Sequence, residues 1–234
     1  MTAVLFPTDF EAKDLIGQMT GRSTKNVEGV TVHSGKVGKT EIIAAIIGMG
    51  PQLAAKGALI VLKHHTVSNV VLAGFAGALS PQLKRGQILI VQDYSSESLI
   101  NFLKLLPGFD IARVYPSDRV IASAALKQQI GSQYNCQLVD METDAVARAV
   151  IQHGIEFLSI RAISDLAAED IPDDVLSKGY NMHTGKTSPV RLIMHLAVNR
   201  QRINAFKAFL KPLPQVRKGL THFLAQVINE LDGV

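Results

Sequence analysis

The stretch from Leu138 to Ala168 constrains the fold more than any other part of the sequence. A short apolar pair, Leu138–Val139, ends in the acidic cluster Asp140-Met141-Glu142, and apolar residues at helical spacing follow. A second apolar run, Phe157–Ile160, then leads into Arg161–Asp165. Because the hydrophobic period changes from helical to extended within about thirty residues, the stretch predicts a strand, a helix and a second strand.

Charged side chains lie at the ends of both predicted strands. Asp140 and Glu142 follow the first strand, Asp165 ends the second, and Arg161 lies between these acids in the sequence. We expect the two strands to be parallel, so that their carboxyl ends meet. Ligands of open α/β sheets bind outside the carboxyl ends of the strands. The pattern therefore predicts a functional site at this edge of an α/β fold.

The rest of the chain predicts further buried strands and amphipathic helices. The predicted strands are residues 3–6, 30–33, 40–47, 69–72, 87–93, 114–115 and 120–122. The predicted helices begin near residue 10 and at 189, and cover 52–64, 99–106, 124–130, the region of 206–210, and 216–231. In the first of them, Glu11 lies in the opening turn, where a carboxylate also stabilises the helix dipole.

Composition limits the class of protein. A chain of 234 residues, 47% hydrophobic, suits one domain over residues 1–234 with a sizeable core. No apolar run approaches the length of a membrane span, and the first residues lack the basic start of a signal peptide. A single cysteine, Cys136, excludes an internal disulfide framework and fits a reducing compartment. We therefore expect a cytoplasmic protein.

The net charge of +4 is concentrated near the C-terminus, within a predicted basic helical segment, 189–234. Between Lys186 and Lys218 the sequence has eight Lys or Arg residues and no Asp or Glu. A basic excess can attract nucleic acid, phosphate-bearing ligands or an anionic membrane, or it can be a solvated helix face. Few aromatic residues accompany these charges, which argues against nucleic acid. Residues 189–218 would suit peripheral contact with an anionic bilayer.

The usual signatures of other chemistries are missing. His64 and His65 are adjacent and diverge on a helix, so neither they nor a lone cysteine predict a metal site. The sequence has no G-x-S-x-G, no G-x-G-x-x-G and no P-loop, although Gly48–Pro51 forms a glycine-rich turn between a strand and a helix. What remains is acid/base chemistry by carboxyl groups with an arginine, namely Glu11, Asp140, Glu142, Asp165 and Arg161.

Four segments resemble, in the same order, the nucleoside phosphorylase/nucleosidase superfamily. Phe10–Lys13 resembles its early E-A run, and Ala73–Leu79 with Lys84–Ile88 resembles its G-x-A-G-x-L…L-K-x-G-D-I segment. Residues 138–143 and 160–165 resemble its E/D-M-E and R-x-I-S-D runs, and the four matches cover about residues 3–170. The chain is most similar to 5′-methylthioadenosine/S-adenosylhomocysteine nucleosidases and to hopanoid-associated phosphorylase-like proteins, and its basic tail favours the second branch.

The resemblance implies a three-layer αβα fold with a central twisted mixed β-sheet, and cleavage of the N-glycosidic bond of a purine nucleoside. Asp165 would protonate purine N7, retaining its proton through desolvation, while Ser164 would hold its orientation. Glu142 would bind the ribose hydroxyls and stabilise an oxocarbenium-like sugar, with Met141 packed on the sugar face.

Further residues follow from the same resemblance. Glu11 and Arg161 would position and activate an attacking water. The strand tip Phe75-Ala76-Gly77 would line the substrate, although Phe75 replaces the usual polar residue, and the backbone of Ile121 and Ser123 would contact the base. The expected partner is a small-molecule purine nucleoside, in a homo-oligomer of two or more chains, with no cofactor and no metal.

Two choices stay open at this stage. The nucleophile is water or phosphate, and water is favoured because Ala73 and Phe75 occupy places where phosphate-using relatives carry Arg and Ser. The early loop, residues 6–9, also lacks the glycine of those relatives. A phosphate-dependent purine nucleoside phosphorylase is therefore the alternative enzyme. A non-catalytic nucleoside-binding module is the alternative of another class.

Overall fold

A computed structural model describes residues 1–103, 106–171, 180–181, 186–187 and 200–231, and its centre is a ten-stranded mixed β-sheet between helices. The sheet strands are β1 (Thr2–Phe6), β2 (Thr20–Val27), β3 (Val30–Val37), β4 (Thr40–Ile46), β5 (Asn69–Ala78), β6 (Ile88–Val91), β7 (Asp110–Ala112), β8 (Val114–Pro116), β9 (Leu138–Asp140) and β10 (Glu156–Asp165). The helices are α1 (Asp9–Gln18), α2 (Pro51–His64), α3 (Glu97–Leu103), α4 (Ala124–Tyr134), α5 (Thr143–Ile151), α6 (Arg200–Leu210) and α7 (Leu213–Leu231). Two short strands, β11 (Tyr180–Asn181) and β12 (Lys186–Thr187), pair separately.

The two faces of the sheet bury separate apolar layers, as the alternation of side chains along a strand requires. In β1, Val4 and Phe6 pack on one face with helices α1, α3 and α7. Ala3 and Leu5 pack on the other face with α2 and α5. The predicted three-layer αβα arrangement with a mixed sheet is thus confirmed.

The four central strands of the sheet run parallel to one another, and antiparallel pairs join further strands to both sides. The strand order is β2-β3-β4-β1-β5-β10-β6-β7, and the parallel core consists of β4, β1, β5 and β10. Strands β2 and β3 add antiparallel hairpins on one side, and β6 adds an antiparallel strand on the other. The carboxyl ends of β1, β5 and β10 therefore lie side by side, which is where the site is built.

One expectation about the stretch 138–168 is wrong. Strands β9 and β10 are not parallel, because β9 pairs antiparallel with the end of β5, whereas β10 pairs parallel with β5. Val139 lies opposite Gly77 and Leu138 opposite Ala78, so β9 runs back along β5 towards the site. Asp140 and Glu142 reach the acidic end of β10 by this reversal and not by a shared strand direction.

Several element boundaries also differ from the sequence prediction. Residues 120–122, predicted as a strand, belong to no strand and lead into α4. Strand β2 was not predicted because most of its residues are exposed and polar, so no apolar alternation identifies it. Strand β7 was not predicted either, and it is only three residues long. The remaining predicted strands and helices within the described residues are confirmed, with ends shifted by a few residues.

Part of the basic segment 189–234 packs against the rest of the domain. Helix α7 packs on the sheet through its apolar side, and Arg217 is buried against Asp14 and Phe10 of α1. Arg217, one of the eight basic residues, therefore joins α7 to α1 through an ion pair and does not belong to a solvated face. Among the described helices, none combines the length and the hydropathy that a membrane span requires.

Some predictions fall outside the described residues. The sequence also predicts an acidic loop around Pro172 with Asp173 and Asp174, continued by His183–Gly185, and these residues are not described. The same holds for the start of the helix predicted at Pro189. The bilayer contact assigned to 189–218 rests partly on these residues and stays a prediction.

Candidate active site

Glu11 lies at the start of α1 and points into the protein. Thr8 caps the helix by accepting a hydrogen bond from the Glu11 backbone N–H (3.3 Å), and its hydroxyl donates to Glu11 Oε2 (2.5 Å). Thr-x-x-Glu is the sequence of a capping box, in which the glutamate would return to the cap's own N–H. Here Glu11 Oε1 instead accepts a hydrogen bond from the backbone N–H of Phe75 on β5 (2.8 Å). The carboxylate is thereby held at the end of the sheet.

Arg161 occupies the centre of the acidic cluster and is fully buried (0% exposed). Its Nε lies 2.6 Å from Asp140 Oδ2, and its Nη2 donates to Thr143 Oγ1 (3.0 Å). Nη2 also lies 3.8 Å from Glu142 Oε2. Asp140 accepts hydrogen bonds from the backbone N–H and the hydroxyl of Thr143, at the start of α5. Asp140 and Thr143, at the short connection between β9 and α5, therefore contact one edge of the guanidinium.

Glu142 is held from the opposite side by the glycine-rich turn before α2. The backbone N–H of Gly50 donates to Glu142 Oε1 (2.8 Å). Gly50 has φ +87°, a conformation that side chains disfavour, and Pro51 follows it as the first helical residue. The backbone of this glycine-rich turn thus binds a carboxylate of the protein itself.

Gly74 on β5 leaves space for the polar atoms at the centre of the cluster. A Cβ at Gly74 would lie 2.6 Å from Arg161 Nη1 and 2.9 Å from Glu11 Oε1. Arg161 Nη1 is buried and has no hydrogen-bond partner among the described residues. Buried donors are rarely left unsatisfied without a bound water or ligand. Arg161 Nη1 and Glu11 Oε1 therefore lie close together, against the same glycine.

The electrostatic balance of this cluster is negative. Three buried carboxylates, those of Glu11, Asp140 and Glu142, surround the single guanidinium of Arg161. Burial and, to a smaller degree, the nearby charge of Asp140 together raise the pKa of Glu142 to about 7, against the opposing charge of Arg161. Burial also raises the pKa of Glu11, against its hydrogen bonds from Thr8 and Phe75 and the charge of Arg161. Such a site favours a ligand that carries or develops positive charge.

Asp165 ends β10 and lies four residues beyond Arg161 on the same strand. The pairing of β10 with β5 shifts between Ile163 and Asp165, so Ser164 is the extra residue of a bulge. A bulge re-aims the side chains that follow it. The Ser164 hydroxyl lies 2.6 Å from Asp165 Oδ1 and 3.1 Å from the Ala76 carbonyl. Gly77 gives Asp165 room, since a Cβ there would lie 3.0 Å from Oδ2.

A buried lysine contacts the second oxygen of Asp165. Lys127 of α4 is fully buried (0% exposed), and its Nζ lies 2.5 Å from Asp165 Oδ2. The sequence analysis did not select this residue. Its one signal is that it lies three residues before Ile130, on the side of α4 that packs inward.

The other predicted substrate-binding residues lie around these groups. Met141 is half-buried between Asp140 and Glu142, and the Phe75 ring stacks edge-to-face with Phe10 (6.1 Å between centroids). Ile121 is buried beside Leu79 and Val139.

Ser123 is exposed, and its hydroxyl caps α4 by accepting from the Leu126 backbone N–H (3.4 Å). Base contacts by Ile121 and Ser123 stay predictions.

The structure brings Glu11 and Glu142 close to Arg161, since Arg161 Nη2 lies 3.8 Å from Glu142 Oε2 and a Cβ at Gly74 would contact both Arg161 Nη1 and Glu11 Oε1. Asp165 lies further along β10. It adds residues that sequence reasoning did not select as site residues: Thr143, Gly50, Gly74 and Lys127. Gly50 had a weak signal in its glycine-rich turn, and Gly74 had one in the glycine-bearing end of its strand. Within the described residues, no three His, Cys, Asp or Glu side chains form a group that could hold a metal ion.

Comparison with known proteins gives one family and one fold. The sequence profile of the phosphorylase superfamily matches residues 2–131 and 111–196. The structure is similar to a 5′-methylthioadenosine/S-adenosylhomocysteine nucleosidase from S. pneumoniae with a transition-state inhibitor, at a TM-score of 0.74 and 18% identity, covering 98% of this chain and 99% of that one. It is also similar to futalosine hydrolase of Helicobacter pylori, at a TM-score of 0.73 and 18% identity over 98% and 97% of the two chains. At this identity the likenesses show a shared fold.

Proposed function

The chain belongs to the phosphorylase superfamily, and on that premise we propose that it is a nucleosidase, which cleaves the N-glycosidic bond of a purine nucleoside with water as the nucleophile. The observation that carries the proposal is the buried cluster of Glu11 and Glu142 around Arg161, with Asp165 on the same strand as the arginine. These are the groups needed for a nucleophile, a cationic sugar and a leaving base.

The leaving base needs a proton, because a purine anion departs poorly. Asp165 is the proposed acid, and it protonates N7 as the C1′–N9 bond breaks. It is buried (3% exposed), Ser164 contacts its Oδ1, and the Lys127 ammonium lies against its Oδ2, so that the carboxyl group is fixed in position.

The sugar becomes positively charged as the base leaves, as in glycoside hydrolysis. The negative balance around Arg161 favours that charge, and Glu142 is the carboxylate proposed to bind the ribose hydroxyls. Met141 packs against the sugar face. Preorganised charges of this kind stabilise a transition state because they need no rearrangement during the reaction.

Water is the better nucleophile for this cluster. Arg161 Nη1 has no hydrogen-bond partner among the described residues, and it lies near Glu11 Oε1, since a Cβ at Gly74 would contact both atoms. A neutral water accepts from Arg161 and donates to Glu11, which can take its proton. A phosphate dianion would face Glu11, Asp140 and Glu142 with only one guanidinium to balance them.

Adenine is the proposed base, and a 5′-substituted adenosine is the proposed substrate. The chain resembles proteins named for methylthioadenosine and adenosylhomocysteine, and futalosine hydrolase has the same fold. A homo-oligomer is part of the proposal, as in the family resemblance described above. The 5′ group is the feature that the following assay identifies.

The test is release of free base from a panel of nucleosides, followed by chromatography with and without inorganic phosphate. The panel contains adenosine, 5′-methylthioadenosine, S-adenosylhomocysteine and adenosines with longer 5′ groups. We expect adenine and a free ribose product, at the same rate in both buffers. Ribose 1-phosphate formed only with phosphate would identify a phosphorylase, and binding without release would identify a nucleoside-binding module.

The pH profile is expected to report the ionisation of Glu142. Since burial raises the pKa of Glu142 to about 7 and the ionised form is the one that stabilises a cationic sugar, activity is present above that pH and lost below it. We expect kcat/KM to fall about tenfold per pH unit on the acid side. Glu142→Gln should lower kcat/KM and abolish the inflection near pH 7. An inflection at the same pH in both proteins would assign it to another group.

A further inference from the structure

Lys127 is the one buried lysine among the described residues, and all three of its ammonium hydrogens have acceptors. Nζ donates to Asp165 Oδ2 (2.5 Å), to the Leu166 carbonyl (3.1 Å) and to the Glu169 carbonyl (2.9 Å). The lysine therefore binds the proposed acid and the turn that follows it. Its contact with Asp165 is an ion pair in which neither side chain is more than 4% exposed.

The surrounding charges are themselves paired. Glu169 accepts two hydrogen bonds from Arg85 (2.5 Å each), and Arg85 also donates to the Ser164 carbonyl. Asp170 accepts a hydrogen bond from the Ala124 backbone N–H (2.8 Å) at the start of α4. Glu169 and Asp170 thus have other partners for their carboxylates, whereas Lys127 and Asp165 face each other.

An ion pair at this depth is costly to build for stability alone. Taking two charges out of water costs free energy that their attraction must offset, and an apolar pair of the same volume is often as stable. The apolar neighbours on α4, such as Ile130, show that the helix could be anchored without a charge. Stability alone therefore does not account for the Lys127–Asp165 ion pair, and we look for its role in the chemistry of Asp165.

We propose that Lys127 is a positioning residue for Asp165 and holds the proton that Asp165 delivers to the departing purine. The inference rests on the proposed function, in which Asp165 is the acid. As the C1′–N9 bond breaks, its electron pair moves into the purine and N7 takes a proton from Asp165. Asp165 takes a proton from the Lys127 ammonium, which becomes a neutral amine and later regains a proton from water.

The pH dependence of turnover distinguishes this role from a purely electrostatic one. If Lys127 supplies the proton, its removal lowers turnover most at alkaline pH, where the solution supplies protons least. If Lys127 acted only by its charge, removing it would favour the protonated carboxyl and extend activity to higher pH. The two roles therefore predict opposite shifts.

The experiment compares kcat against pH for the wild type, Lys127→Met, Lys127→Arg and the control Lys56→Met, with 5′-methylthioadenosine and adenosine as substrates. Lys56 is exposed on α2. Arginine keeps the positive charge but does not release a proton. In both Lys127 variants we expect kcat to fall at least about a hundredfold at alkaline pH and markedly less at acid pH, with KM changed little. Lys56→Met should match the wild type.

A wild-type alkaline limb in either Lys127 variant, or a limb moved to higher pH in Lys127→Met, would overturn the proposal. Circular dichroism identifies a variant that does not fold, and the other Lys127 variant then decides.

A second measurement is independent of activity: the carbon-13 signal of Lys127 Cε, assigned by its loss in Lys127→Met. It should change its titration in Asp165→Asn. If no nucleoside is cleaved, the proposed function fails, and the Lys127 Cε signal alone then tests the interaction of Lys127 with Asp165. A pH dependence of that signal that is the same in the wild type and in Asp165→Asn would refute the interaction.

Discussion

Asp165→Asn is expected to lower kcat about a thousandfold, the range that a general acid contributes. The amide is nearly the same shape as the carboxyl group, but it has no acidic proton to transfer to N7. KM should change little, because the substitution removes an interaction made mainly in the transition state. Steady-state kinetics with the best nucleoside of the panel measures both constants.

The fold of this variant should survive with reduced stability. Lys127 keeps the carbonyls of Leu166 and Glu169 as acceptors, and the new amide oxygen replaces one carboxylate oxygen. Loss of one partner of a buried ion pair is nevertheless destabilising. Asp118→Asn, at an exposed aspartate, is the matched control and should retain full activity and stability. Turnover close to that of the wild type in Asp165→Asn would exclude Asp165 as the acid.

Glu11→Gln is expected to lower kcat by about a hundredfold or more, because the amide cannot take a proton from the attacking water. Its carbonyl oxygen can still accept the hydrogen bond from the Phe75 backbone N–H, so the geometry of α1 and β5 should be kept. Asp9→Asn tests the dipole effect alone, since Asp9 lies in the same first turn but is exposed. A loss of activity shared equally by both variants would contradict a specific role for Glu11.

The stability of Glu11→Gln should be equal to or above that of the wild type at neutral pH. Burial raises the pKa of Glu11 above its ordinary value of 4.5, so the folded protein disfavours the ionised form. That cost is absent at acid pH, where the carboxyl is protonated in both states, and it appears as the pH rises. Urea unfolding at neutral and acid pH measures the free-energy difference. A buried ionisable group such as Glu11 is expected to lower stability where activity requires its charged form.

Local sequence signals were sufficient for much of the fold. The sequence predicted a helix that begins near residue 10, where α1 lies, and the apolar runs predicted the parallel strands β1, β4 and β5. The acidic runs correctly indicated which strand ends would carry Glu142 and Asp165. These features depend on residues close in sequence, where caps and periodicity decide the structure.

Other features depend on partners that the sequence does not identify. The reversal of β9 follows from its pairing with the end of β5, far away in the chain. Lys127 becomes significant only because α4 packs where β10 ends, thirty-eight residues later. Gly74 looks like an ordinary strand glycine until the guanidinium of Arg161 is placed against it. Long-range packing, which no local pattern encodes, decides each of these cases.

The most direct test of the central claim is a crystal structure of Asp165→Asn bound to a purine nucleoside that the wild type cleaves. We expect purine N7 within hydrogen-bond distance of the residue 165 amide, the ribose hydroxyls on Glu142, and one water between Glu11 and Arg161 Nη1. A nucleoside bound away from the ends of β5 and β10, or a base turned away from residue 165, would contradict the account.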